Sequence, residues 1–303
     1  MSKILLTGAS GFLGKHIYDY LKSKDYEIIS LGRSSQNDII CDLSIEVPLL
    51  EIDTIALVIH AAGRAHCIPK TEEEKKHFFD VNVQGTENLL NGLEEVGVPK
   101  KFVFISSVSV YGRESGKNIN EKTLLQSRDS YGLSKIAAEK SITKWCSQNN
   151  VLLTILRLPL LVGENPPGNL GSMIKAIEKG YYFNIGGGKS KKSMVLAEDV
   201  AAFIPRVAAV GGIYNLTDGY HPCFEELGMV ISKQKNKNRP LNMPLLVAKA
   251  IGLVGDLLGD KITINSLKVK KITSDLTFDD SKARKSVSWN PQSVLSYFER
   301  NTI

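Results

Sequence analysis

Near the N-terminus runs Lys3-Ile4-Leu5-Leu6-Thr7-Gly8-Ala9-Ser10-Gly11-Phe12-Leu13-Gly14, a short strand pattern that breaks into a loop with glycine at every third position. Phe12, Leu13, Ile17 and Leu21 follow at helical spacing, so the order is strand, tight turn, helix. That order predicts the opening of a dinucleotide-binding βαβ unit. Gly8 makes the sharp turn, Gly11 lets the backbone approach a pyrophosphate, and Gly14 lets the helix pack closely on the strand. With Ser10, Phe12 and Leu13 they place free N–H groups and the positive end of the helix dipole at the phosphates. The spacing differs from G-x-G-x-x-G, and a tight turn without a ligand would use the same glycines, so the loop alone does not decide. A Walker loop is excluded, because five residues separate Gly8 from Gly14 and His16 follows Lys15 where Ser or Thr would hold magnesium.

The rest of the chain is that of an ordinary globular protein: 303 residues, 43% hydrophobic, net charge +6. Cys41, Cys67, Cys146 and Cys223 are scattered with no C-x-x-C, which argues against a disulfide or zinc framework and suits a reducing cytoplasm. His16, His60, His66, His77 and His221 lack metal-ligand spacing, and no metal is expected. The basic run from Lys233 to Arg239 contains no aromatic residue for base stacking and reads as a solvated loop, so no nucleic-acid partner is expected. The hydrophobic start is broken at once by Thr7 and Gly8, unlike a secretory leader. The longest apolar stretch, Pro244 to Gly259, is interrupted by Lys249 and Asp256 and is too short for membrane insertion across a bilayer.

Tyr26 to Leu31 reads as a second strand ending in Gly32-Arg33-Ser34, where an adenosine ribose would be inspected. An acid there would favour NAD; the Arg33 guanidinium suits the 2′-phosphate of NADP and tips the expectation that way. Ile39 to Leu43 looks like a short third strand, with Asp42 and Leu43 at its end as candidate adenine contacts. Thr54 to Ala62 is a buried central strand, and Ala61-Ala62-Gly63 leave room for a cofactor. A long helix from Glu72 to Val96 carries Asn82 inside it, either bracing a loop or facing solvent. Lys101 to Ser106 forms a fifth strand with Ser106-Ser107 at its carboxyl end. The next helix begins near Ser130 with Tyr131 and Lys135 four apart, on one face. An ammonium beside a phenol favours the phenolate, and bringing a tyrosine from about 10 to 7 needs roughly 4 kcal/mol.

With these motifs in order, the chain resembles the extended short-chain dehydrogenases/reductases, the NAD-dependent epimerases, dehydratases and reductases of nucleotide sugars. The likeness rests on the opening loop, His60-Ala61-Ala62-Gly63, Val81-Asn82-Val83-Gln84-Gly85-Thr86, Ser106 to Gly112, Tyr131-Gly132-Leu133-Ser134-Lys135 and Arg157-Leu158-Pro159. It implies a Rossmann-type doubly wound parallel sheet with a smaller, interleaved C-terminal α/β lobe. The expected division is 1–162 with 193–221 for the NAD(P) domain, and 163–192 with 222–303 for the nucleotide-sugar lobe. The resemblance makes Tyr131 the acid/base, Lys135 the ribose ligand and tyrosine activator, Ser107 the group that orients the sugar oxygen, and Pro159 a cofactor contact.

The dehydratases carry Thr-Asp-Glu where this chain has Ser107-Val108-Ser109; with both carboxyl groups missing, elimination of water is not expected. A 4-ketoreductase of a UDP-4-keto-6-deoxy-N-acetylhexosamine in surface-polysaccharide synthesis is the leading expectation. A UDP-hexose 4-epimerase is the alternative, and a non-catalytic dinucleotide-binding protein a third. By the same likeness Asn169 meets the sugar diphosphate, and Lys192 and Lys271 stand where arginine is usual, giving charge without the bidentate fork. A homodimer is an expectation from the family alone.

Overall fold

The computed structural model describes residues 3–65, 67, 69–258 and 265–300; His66 and Gly259 of the foregoing reading lie outside the described residues. The first half alternates β1 (Lys3–Thr7), α1 (Phe12–Ser23), β2 (Ile28–Gly32), β3 (Ile39–Ile40), β4 (Ile55–His60), α2 (Glu72–Phe79), α3 (Gly85–Val96) and β5 (Lys101–Ser107). It continues with β6 (Gly116–Ile119), α4 (Ser130–Gln148), β7 (Leu152–Leu158), β8 (Leu160–Val162) and α5 (Gly168–Glu178). The second half holds β9 (Phe183–Ile185), β10 (Met194–Leu196), α6 (Ala197–Val207), β11 (Gly212–Asn215), α7 (Phe224–Gln234), β12 (Leu241–Met243) and α8 (Leu245–Leu258). It closes with α9 (Ser266–Thr273), β13 (Leu276–Phe278), α10 (Ser281–Val287) and α11 (Val294–Arg300).

Seven parallel strands form the main sheet in the order β11-β7-β5-β4-β1-β2-β3. The chain therefore winds outward from β1 in one direction, then crosses back to β4 and winds outward in the other. Successive strand residues point to opposite faces, so neighbours in the sequence feed different cores. Ile4, Leu6, Leu57, Ile59 and Val103 pack with Leu13, Ile17, Leu21 and Val200 of α1 and α6. Leu5, Val58, Phe102 and Phe104 pack with Leu89, Leu93, Ile142 and Trp145 of α3 and α4 on the other side. Each such fully buried aliphatic side chain contributes about 1.5–3 kcal/mol of transfer free energy.

Four differences from the sequence expectation have local causes. The second strand starts at Ile28 rather than Tyr26, because Asp25 takes a left-handed turn (φ 57°) and leaves Tyr26 exposed. The third strand is only Ile39–Ile40, since Asp42 turns the chain by accepting from the Ser44 backbone and hydroxyl. The long helix from 72 to 96 is interrupted at Asp80–Gln84 by a turn of π geometry around the buried Asn82. Finally, Ala283, Val287 and Trp289, expected in the second lobe, pack into the core of the main sheet. Trp289 is held there by an indole N–H to the Thr217 carbonyl at 2.9 Å and an edge-to-face contact with Phe203.

The smaller lobe has its own core, in which Leu170, Ile174 and Ile177 of α5 meet Leu227 and Ile231 of α7 and Phe298 of α11. Two-strand pairs β8–β10, β9–β12 and β6–β13 stitch the chain between the two regions.

Candidate active site

Strand order reverses between β1 and β4, and their carboxyl ends meet there. The Ala61 N–H donates to the Thr7 carbonyl at 3.2 Å and the Ala62 N–H to the Thr7 hydroxyl at 3.1 Å. Gly8 has φ +75°, and a Cβ there would lie 2.6 Å from the Ala62 nitrogen, so only glycine fits the turn. A Cβ at Gly14 would fall 1.9 Å from the Gly8 carbonyl oxygen, which fixes the first turn of α1 against the loop. Gly11 is different: it is exposed and meets only the Gly8 oxygen.

Beneath this crossing lies a closed polar chain. The Thr7 hydroxyl is 2.7 Å from His60 Nδ1, and His60 Nε2 is 3.0 Å from the Thr86 hydroxyl. Thr86 donates to the Asn82 carbonyl, so it accepts from Nε2–H, and the neutral imidazole accepts from Thr7 through Nδ1. Burial, with the Lys135 charge adding to it, pushes the His60 pKa down to about 3.

Asn82 resolves in favour of bracing. Its Oδ1 accepts from the Arg64 N–H at 2.8 Å, and its amide donates to the Arg64 carbonyl and to Ser134 Oγ at 2.9 Å. Ser134 in turn donates to the Tyr131 carbonyl. The loop after β4 is thereby tied to the first turn of α4.

Tyr131 and Ser107 come together. Asp129 caps α4 by accepting from the Gly132 N–H at 2.9 Å, and a Cβ at Gly132 would collide with Ser127 and approach the Ser109 carbonyl to 2.8 Å. Gly132 thus seats the helix start directly on the turn that follows β5. Burial raises the Tyr131 phenol above its usual value; the Ser107 hydroxyl, hydrogen-bonded to it, works the other way, and the Asp129 charge adds to the rise.

Lys135 departs from the expectation. Its ammonium donates to the Ile105 carbonyl at 2.9 Å, lies 4.6 Å from the Phe104 ring centroid, and would stand 3.1 Å from a Cβ at Gly63. Where the sequence predicts a lowering of Tyr131 by Lys135, burial raises the phenol. Burial brings Lys135 itself down to about 8, against the opposing charge of Glu139.

Glu139 and Arg157 were not singled out by chemistry in the sequence. Glu139 follows Lys135 by four residues on the same helix face, which was the available signal. Its carboxylate accepts from Arg157 Nη2 at 2.6 Å, from Nε at 3.0 Å and from Ser106 Oγ at 2.6 Å. Arg157 Nη1 continues to Tyr111, whose hydroxyl donates to Asn215.

Arg33 Nη1 stands 3.8 Å from Asp42 Oδ2 beyond the ends of β2 and β3, so these two candidates face each other. Loss of water is the largest single influence on the Asp42 carboxyl and raises it, but the two Ser44 hydrogen bonds and the Arg33 charge together hold it below its usual value. The Leu43 side chain is buried in the core and its carbonyl accepts from Asn88. Pro159 is half-buried after β7, and Asn169 is exposed in the first turn of α5. Lys192 donates at 2.8 Å to each of the Lys271 and Ser274 carbonyls, closing the C-terminal end of α9, and burial brings it down to about 8. Lys271 pairs with Glu114 at 3.4 Å. Among the described residues, no group of three or more His, Cys, Asp or Glu could hold a metal ion.

The crevice fits a dinucleotide on its own geometry. The open face of Gly11, the uncapped start of α1 and the small residues 61–63 supply N–H groups and space where a diphosphate-bridged ligand needs them. A seven-stranded Rossmann sheet with this crevice, and with a serine and a tyrosine paired beside it, defines an NAD(P)-dependent oxidoreductase class of enzyme.

The chain belongs to the NAD dependent epimerase/dehydratase family, which it matches over residues 4–216. It is 30% identical to an N-acetyl-alpha-D-glucosaminyl-diphospho-ditrans,octacis-undecaprenol 4-epimerase of Escherichia coli O157:H7, over 98% of this chain and 93% of that protein. It is 28% identical to a UDP-glucose 4-epimerase of Vibrio cholerae, over 96% and 92%. Its fold superimposes on the crystal structure of a UDP-N-acetylglucosamine 4-epimerase from Bacillus cereus with a TM-score of 0.76, 22% identity, and coverage of 99% and 97%. No described helix is long and apolar enough to cross a membrane.

Proposed function

We propose that the protein is a 4-epimerase of a hexose or N-acetylhexosamine carried on a diphosphate, UDP-linked in the first instance. This reverses the order of the sequence reading, which put a 4-ketoreductase first. What supports the reversal is that both relatives named above act at C4 as epimerases, across almost the whole chain.

The single observation that carries the chemistry is the Ser107–Tyr131 pair beside the crevice. Tyr131 takes the proton of the C4 hydroxyl and returns it, and Ser107 holds the same oxygen in both directions. NAD(P), when bound, supplies the hydride acceptor and donor and, in its oxidised form, a positive charge next to the phenol. Gly8, Ser10, Gly11, Phe12, Leu13 and Gly14 would hold its diphosphate, Arg33 and Asp42 its adenosine end, and Ala61, Ala62, Gly63, Lys135 and Pro159 the nicotinamide half. A phenol held high by burial stays protonated and can give its proton to the oxygen formed as a C4 ketone is reduced, whereas taking the hydroxyl proton needs the phenolate, which relies on nearby positive charge. Epimerisation would require the 4-keto sugar to present its other face before its C4 oxygen regains the Tyr131 proton.

The test is purified protein with no added coenzyme, mixed with UDP-N-acetylglucosamine, UDP-glucose or undecaprenyl-diphospho-N-acetylglucosamine. Interconversion at C4, seen by NMR, is the expected result; no turnover in any arm removes the epimerase reading.

The 4-ketoreductase remains the second reading, favoured by Arg33 at the ribose end, where a guanidinium suits NADP(H). Stoichiometric consumption of NADPH with a UDP-4-keto-6-deoxy-N-acetylhexosamine, and no epimerisation, would establish it.

A further inference from the structure

We propose that α8 and its basic surroundings dock the protein on the surface of an anionic lipid bilayer, lying in the interface without crossing it. The inference rests on surface composition alone and does not depend on the sugar chemistry above. It joins two features that the site leaves unused, the Lys233–Arg239 run and the apolar stretch that follows Pro244.

Helix α8 spans 14 residues, about 21 Å. Its buried residues are small: Ala248, Gly252 and Gly255, one stripe that faces α9. A Cβ at Gly252 would lie 3.1 Å from the Ser266 backbone, so the stripe serves close packing. At 100° per residue the opposite side carries Leu246, Leu253 and Leu257, which are 80%, 61% and 86% exposed. Val247, Val254 and Leu258 widen that face, and Leu241 of β12 and Leu267 of α9 are also exposed. The two charged residues of the helix, Lys249 and Asp256, lie together on one flank. A helix packed on a water-soluble core turns its polar side outward; this one turns out its leucines, and contiguous apolar surface of that kind marks an interaction site.

Charge selects the occupant. Residues 233–271 hold nine Lys and Arg against two Asp, a net of +7 inside a chain whose total is +6. Of these, Lys233, Lys237, Lys249 and Lys270 are exposed, while Arg239 and Lys271 are exposed and pair with Glu225 and Glu114. Leucines flanked by lysines suit the boundary of an anionic bilayer, where acyl chains receive the apolar face and headgroups receive the cations. A two-fold contact of the patch with itself would instead set exposed lysines against exposed lysines, which disfavours a second copy as the occupant.

The experiment is sedimentation of the full-length protein with vesicles of phosphatidylcholine, alone or mixed equally with phosphatidylglycerol. The expected result is co-sedimentation with the mixed vesicles only, weakened by salt. Leu246→Ser, Leu253→Ser and Leu257→Ser together should lower the partition at least about tenfold, with thermal unfolding unchanged because these side chains already touch water. As a check that needs no loss of binding, Leu257→Trp should shift its fluorescence to the blue on mixed vesicles. No sedimentation with either vesicle, no blue shift, equal binding by the triple variant, or a triple variant that only turns a dimer into a monomer would each overturn the proposal.

Discussion

Arg157 grips Glu139 through two hydrogen bonds, Nη2 to Oε2 at 2.6 Å and Nε to Oε1 at 3.0 Å, with both side chains shut off from water. The pair links β7 to α4 one turn past Lys135, and the carboxylate also accepts from Ser106 and supports the Lys135 charge. Arg157→Met leaves that carboxylate buried without the cation that hydrogen-bonds it, which should destabilise the protein by about 3–5 kcal/mol. Adding Glu139→Gln should recover part of the loss. Urea titration of the three proteins measures both, and a single variant as stable as wild type would deny the pair its role.

Tyr131→Phe should lower kcat by at least about a hundredfold while coenzyme affinity stays nearly unchanged, since only the proton-carrying oxygen is removed. Ser107→Ala should lower kcat less, because Tyr131 remains. Rate measurements with coenzyme binding by fluorescence separate the two effects, and a fully active Tyr131→Phe would take the tyrosine out of the mechanism.

Acid should destabilise the fold through His60. Its folded pKa of about 3 lies below the unfolded value of 6.5, so only the unfolded chain takes up the proton as pH falls below 6.5. The stability it contributes is complete above that pH and declines steadily toward pH 3. Between pH 7 and 5 the loss should be about 2 kcal/mol. His60→Gln should be less stable at pH 7 but lose correspondingly less on acidification. Identical pH slopes for both proteins would show that this imidazole is not what titrates.

Arg33→Ala should weaken NADPH more than NADH, because a 2′-phosphate loses its paired donor whereas a ribose hydroxyl does not. Asp42→Asn should act in the opposite sense, since Asp42 faces the same guanidinium at 3.8 Å and repels a phosphate. Dissociation constants for both coenzymes decide it; equal losses for NADPH and NADH in Arg33→Ala would place the phosphate elsewhere.

Much of this protein was written along the chain because its signals are local. The turn at Gly8 needs a backbone that only glycine adopts, a buried strand needs an unbroken apolar run such as residues 55–59, and Tyr131 and Lys135 share a face by helical spacing alone. Those constraints act within a few residues, so they are legible in order, and the family likeness rests on them. Where side chains found their partners was settled by contacts across long stretches of sequence. Lys135 went to the Ile105 carbonyl, Asn82 to Arg64 and Ser134, Lys192 to the end of α9, and Trp289 to the main core. A buried polar group takes whichever donor or acceptor the packed elements bring within reach, and that neighbour is a property of the assembled sheet and helices, not of the residue's own neighbourhood in the sequence. The outward turn of the α8 leucines is of the same kind: periodicity marks an apolar helix, and only packing on α9 decides which stripe is left facing the surroundings.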